Sequence, residues 1–166
     1  MKRRTRTIVL ANVLILAVIA LASCGFINGV IVGFRTTIAA GGPLVDRFVA
    51  SGQLSAAKGE FLKTDFRDLT STIESFRVQL DAAGGDKLKQ IAAAQQLSNG
   101  WLAIYNRGHY GSNPHFSEIA GIVSSIVESV LAYFDAGAPR DGAVQSKKQI
   151  EQQLKAKQAE LEARMR

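Results

Sequence analysis

The chain has 166 residues, 47% of them apolar, with one cysteine and a formal charge of +6 from 20 basic and 14 acidic side chains. This length holds one domain at most, the apolar share is too high for a disordered chain, and a lone cysteine excludes a disulfide framework or a thiolate zinc cluster. Nucleic acid is excluded as a partner too: Lys2, Arg3, Arg4 and Arg6 precede residue 7, and residues 24–137 carry nine basic against ten acidic side chains, without a cluster able to displace counterions from phosphate.

The basic stretch Met1–Arg6 leads into an uncharged apolar run from Thr7 to Ala22. This order is that of a secretory signal, a basic region followed by a hydrophobic one. The run closes on Leu21-Ala22-Ser23-Cys24. These four positions resemble the lipobox of bacterial lipoproteins, a resemblance that ends at Cys24. It implies cleavage after Ser23 and a lipid on the Cys24 thiol, with small side chains at Ala22 and Ser23 admitting the protease. It also implies that Gly25, not being aspartate, does not retain the product in the inner membrane of a Gram-negative cell. A second reading stays open, because the uncharged run continues past Cys24 to Phe34, which makes it long enough to span a bilayer. Such a signal anchor keeps the basic end in the cytoplasm and places residues 36–166 outside. Both readings put the bulk of the chain on one face of a membrane, in the bacterial cell envelope.

Beyond the anchor the spacing predicts helices. Phe26, Ile27, Val30, Ile31, Phe34 and Ile38 form one stripe, broken or kinked at Gly41-Gly42-Pro43. Leu44, Val45, Phe48 and Val49 form a short stripe ending near Ser51-Gly52. Leu62, Phe66, Leu69, Ile73, Phe76 and Leu80 recur at alternating steps of 4 and 3, the seam of a helix packed lengthwise against others. Asp65, Arg67, Asp68, Glu74 and Arg77 fall off that seam and are expected to meet water. Ala82-Ala83-Gly84-Gly85 ends this helix. The same tetrapeptide pattern at Ala39–Gly42 reads as an ordinary helix ending rather than a duplication.

Asp86 is placed to cap the next helix, whose apolar positions Leu88, Ile91, Leu97, Trp101, Leu102, Ile104 and Tyr105 run to about Asn106. After the loop Arg107–Ser112, Asn113-Pro114 opens a helix with Ile119, Ile122, Val123, Ile126, Val127, Val130, Leu131, Tyr133 and Phe134, expected to be the most buried. From residue 138 the chain turns polar, with seven basic and four acidic side chains to residue 166. Val144–Arg166 reads as a helix with a thin seam of Ile150, Leu154 and Leu161, interrupted by Lys157. A helix that poor in apolar contacts is expected to be solvated and frayed until a partner orders it.

The fold class is therefore all-α: a bundle of about four helices over 24–137, on a signal segment 1–23 (or an anchor to about 34), with a polar helix over 138–166. Chemistry is sparse. His109 and His115 are the two histidines. With Glu118, one turn beyond His115, they form the one candidate metal or enzyme site, set against the fact that a loop histidine is more often a surface or capping group. No G-x-S-x-G turn or phosphate loop occurs, and Asp65 with Asp68 reads as salt-bridged surface rather than a glycosidase pair. No cofactor is called for. The candidate interaction site is the loop carrying Arg107, His109, Tyr110 and Asn113, residue types enriched at recognition surfaces. The leading functional expectation is a non-enzymatic membrane-anchored envelope protein that binds or scaffolds another envelope component. The alternatives are a metal-binding protein or enzyme using His109, His115 and Glu118, or a signal-anchored accessory subunit or phage-encoded spanin-like factor.

Overall fold

The computed structural model describes residues 25–135 and 146–166. Residues 1–24, with Cys24 and most of the hydrophobic region on which both anchor readings rest, lie outside them, as do residues 136–145. The described residues form helices and connecting turns. Helix α1 covers 25–39, α2 Gly41–Ala50, α3 Ala56–Ala83, α4 Lys87–Tyr105, α5 Pro114–Asp135 and α6 Lys147–Met165, with one 3-10 turn at His109–Ser112. The chain is an all-α bundle.

Each boundary has a local cause. At Ala40 the backbone turns once, and Pro43 sits in the first turn of α2, where its missing N–H costs nothing. Ser55 caps α3 by accepting from Lys58 N, and Asp86 Oδ1 caps α4 by accepting from Leu88 N (3.1 Å) and Lys89 N (3.2 Å). Gly84 ends α3 at φ +51°, a left-handed value that strains other residues. The two Ala-Ala-Gly-Gly segments thus end differently, one at a kink between helices and one at a reversal.

Packing runs α2 on α3, α3 on α4, α4 on α5 and α5 on α6. The α3 seam Leu62, Phe66, Leu69, Ile73, Phe76 and Leu80 is buried throughout, and α5 buries ten side chains from Phe116 to Phe134. Helix α1 belongs to the same core. Ile27, Val30, Ile31, Phe34 and Ile38 are buried; the Phe26 ring lies 6.3 Å from that of Tyr133 on α5, and Arg35 pairs with Glu74 on α3 at 3.0 Å. At the α1–α2 junction Gly41 lies against the Phe66 ring with no room for a methyl group.

Helix α6 corrects the expectation of a solvated tail. Ile150, Leu154, Leu161 and Met165 are buried against the bundle, and the helix opens with a reciprocal cap between Ser146 and Gln149. Lys157 does not enter the core: it is half-exposed and pairs with Glu160, and the neighbouring Gln158 fills the gap against Gly33 of α1. Lys155 Nζ lies 5.4 Å from the centre of the Phe26 ring, so its charge also covers α1.

Candidate functional site

The loop between α4 and α5 is a clasp on α3. Asn106 N and Arg107 N close the end of α4 on Leu102 O and Ile104 O, and Gly108, at φ +77°, reverses the chain into the 3-10 turn. Arg107 then reaches Asp65 at 3.0 Å and Asp68 at 2.6 Å, while His109 Nδ1 lies 2.8 Å from the other Asp65 oxygen. A carboxylate only accepts, so Nδ1 carries the imidazole proton. Phe61 stacks on the His109 ring at 4.8 Å. Asp65 is 0% exposed, which corrects its assignment to the watered face of α3. Arg107 and His109 are what make that burial tolerable, because a carboxylate withdrawn from water must be paired and hydrogen-bonded. The same bonds, led by that to Asp68, hold the Arg107 guanidinium above its usual pKa.

The other loop candidates are also engaged inside the fold. Asn113 Oδ1 accepts from His115 N at 2.9 Å and so caps α5. Tyr110 is buried between Phe66 (5.9 Å between ring centres) and Trp101 (5.5 Å), with a hydroxyl that has no hydrogen-bond partner among the described residues. Burial pushes its phenol well above the ordinary pKa of 10.0, and the Asp65 charge pushes further. Tyr110→Phe removes an unsatisfied buried hydroxyl and is expected to raise stability by about 1 kcal/mol. The folded phenol resists ionising whereas the unfolded one ionises near pH ~10, so the fold keeps its stability below that pH and loses stability as the pH rises beyond it. Urea titrations at pH 7 and pH 11 are expected to show a smaller alkaline loss in the variant than in the wild type. A variant less stable at pH 7 would mean that the hydroxyl has a partner after all.

The three candidate metal ligands are not brought together. His109 is committed to Asp65, whereas His115 and Glu118 serve the end of α6. His115 stacks on Phe48 at 5.0 Å and places Nε2 3.0 Å from the Arg164 carbonyl, and Glu118 pairs with the Arg164 guanidinium at 2.8 Å. Arg47 donates to the carbonyls of Met165 and Arg166 at the same place. Cationic and N–H donors at a helix C-terminus satisfy its last carbonyls and oppose its dipole. Among the described residues no group of three or more His, Cys, Asp and Glu is placed to hold a metal.

Two surface features have no counterpart in the sequence reading. An open groove of about 930 Å³ separates α3 from the α1–α2 junction, lined by Arg35, Ile38, Phe66, Arg67, Glu74 and Val78 among others. The second is the outer face of α4, where Leu88 is 79%, Leu102 54% and Tyr105 47% exposed. Ala93, Ala94, Leu97, Trp101 and Ile104 form its buried face instead, and Trp101 Nε1 donates to Ser124 on α5 at 2.9 Å. Comparison with family models, curated proteins and solved structures finds no match to this chain.

Proposed function

We propose that this chain is a lipid-anchored bundle of the bacterial cell envelope, held at a membrane by Cys24 and serving as a non-enzymatic binding or scaffolding protein. The observation that carries the anchor is the burial of Ile27, Val30, Ile31 and Phe34 inside the bundle. A span running to Phe34 needs those side chains in lipid, yet α1 lies against Lys155 and Gln158 of α6, which a bilayer interior excludes. Withdrawing the segment 25–34 shortens the uncharged run to Thr7–Cys24, at the lower edge of what crosses a hydrocarbon core. A hydrophobic stretch of that length ending in Leu-Ala-Ser-Cys fits cleavage and acylation better than spanning. Arg107, His109, Tyr110 and His115 are engaged in internal contacts, so the best candidates for chemistry do structural work, and the loop 107–113 holds the fold rather than serving as the binding surface. In a Gram-negative cell the bundle faces the periplasm from the outer membrane.

The test is Cys24→Ser with intact-mass measurement of membrane fractions. Wild type is expected as the mature chain 24–166, heavier by two or three acyl chains, since one chain alone anchors only reversibly. The variant is expected to accumulate as the unprocessed precursor. Wild-type and variant chains that both retain the segment 1–23 without added mass would overturn the lipid anchor in favour of a span.

A further inference from the structure

We infer that one end of the bundle, where α1, α4 and α6 start and α3 and α5 finish, rests on the bilayer surface with Leu88 inserted among the lipids. This deepens the reading that a membrane holds the chain at Cys24, and rests on it. The first observation is register. Arg35 on α1 pairs with Glu74 on α3 at 3.0 Å, and the two helices run in opposite directions, since Gly41 beyond Arg35 meets the Phe66 ring before Glu74. Going back along α1 from Arg35 and forward along α3 from Glu74 by equal steps therefore brings Phe26 level with Ala83. There the chain reverses through Gly84-Gly85 into α4. Phe26 also lies beside Tyr133 near the end of α5, and Lys147 Nζ at the start of α6 lies 4.7 Å from the centre of the Tyr133 ring. The ends of these helices thus share the level of Phe26.

The second observation is where the chain outside the described residues stops. Cys24 directly precedes α1, and one peptide unit reaches only about 3.8 Å. No linker separates the anchor from the bundle. A domain on a flexible tether has no fixed attitude to its membrane, whereas an anchor at Cys24 brings the headgroup layer to the level of Phe26 itself.

The third observation is what meets that layer. Leu88, in the first turn of α4, is 79% exposed, more than any other large apolar side chain among the described residues. Side chains on a helix lean toward its N-terminus, so Leu88 leans out past the end of the bundle. Exposed Lys87 and Lys89 flank it, and exposed Lys147 and Lys148 open α6 at the same end. Long lysine stems let a neighbouring leucine sink while their ammonium groups stay among the headgroups. These four lysines are matched in number by Asp81, Asp86, Asp135 and Glu151, with Asp86 on Lys89 at 3.6 Å and Asp81 on Arg77 at 3.4 Å. An end so balanced gains nothing from an anionic surface, and its partner is a zwitterionic headgroup layer.

Fluorescence quenching in vesicles tests this. The acylated full chain is reconstituted into phosphatidylcholine vesicles holding nitroxide-labelled lipid, with Leu88→Cys, Val32→Cys or Lys58→Cys carrying an environment-sensitive fluorophore. Acylation occupies Cys24 and leaves one free thiol in each variant. All three sites are exposed, and Lys58 lies at the far end of α3, about 37 Å from Ala83. The Leu88 site is expected to be quenched at least about threefold more than the Lys58 site, with and without phosphatidylglycerol in the vesicles. Equal quenching at Leu88 and Lys58 overturns the proposal. So does stronger quenching at Val32 than at Leu88, which would lay the bundle on the side of α1, or quenching at Leu88 that requires phosphatidylglycerol. Intact mass of the same preparations separates the two claims. Chains that carry acyl mass without excess quenching at Leu88 overturn the end-on seating alone, and chains without acyl mass that leave the vesicles overturn anchor and seating together.

Discussion

A chain ended at residue 145 is expected to lose cooperative folding, although the segment removed is the most polar in the protein. Helix α6 buries Ile150, Leu154, Leu161 and Met165, and its departure also uncovers the apolar side of α5 against which it packs. Truncating one such side chain to alanine costs about 2–5 kcal/mol, so losing four rivals or exceeds the roughly 5–15 kcal/mol that holds a typical domain folded. Loss of the cap that Arg47, His115 and Glu118 make with the helix end adds to this. Leu154→Ala is the graded version, with an expected loss of about 3 kcal/mol, and Lys157→Ala, at a half-exposed position of the same helix, is expected to cost under ~0.5 kcal/mol. Urea denaturation followed by circular dichroism reads all three. A truncated chain that unfolds with the full-length midpoint would show that α6 is an accessory.

Arg107→Ala is expected to cost about 2 kcal/mol and roughly 5 °C in thermal midpoint. The substitution strips the buried Asp65 carboxylate of one of its two partners. Truncating a fully buried pair costs about 3–5 kcal/mol, and the figure here is reduced because the Arg107 side chain is 40% exposed and partly screened by water. Asp65→Asn is expected to cost less than half as much. It removes the charge that needs pairing, keeps an oxygen to accept from Arg107, and leaves Arg107 on Asp68. The double variant is therefore expected to be no less stable than Arg107→Ala alone. Additive losses would mean that the two residues act independently and that no clasp exists.

The α3 and α5 seams are legible because their apolar residues repeat at helical spacing over turn after turn, and a face that wide can only point inward. Asp65 escapes that pattern although its position is informative. It follows Leu62 and precedes Leu69 by one helical turn each, on the flank of the seam, where burial depends on whether another element covers it. The covering element is a loop 42 and 44 residues further along the chain, and no periodicity reports a contact of that range.

Helix α6 departs from its pattern for a similar reason. Its four inward side chains suffice because Gly33 of α1 leaves room for Gln158, so a polar residue completes the seam. In α4 the reverse occurs: the pattern counts Leu88, Leu102 and Tyr105 as core, whereas the core face uses Ala93 and Ala94. Small residues there let the helices approach closely, as Gly100 does against Thr72 of α3. Hydrophobicity alone ranks leucine above alanine and so mixes the two faces, finding Leu97, Trp101 and Ile104 on the core side and missing Ala93 and Ala94 beside them. The loop 107–113 is legible as a place where unusual side chains gather, and it gathers them to hold α3.

Hydrogen–deuterium exchange of the full chain in membranes, resolved by peptide, tests most directly the claim that one cooperative bundle runs from residue 25 to the end of α6. Peptides covering 27–38 and 150–161 are expected to exchange at the slow rate of α3 and α5, and all four are expected to lose protection together as urea is added. Exchange of 150–161 within seconds while α3 and α5 stay protected would contradict the packing of α6. Protection of 27–38 that outlasts unfolding of α3 and α5 would place that segment in the bilayer, and the account of a bundle anchored at Cys24 would fail.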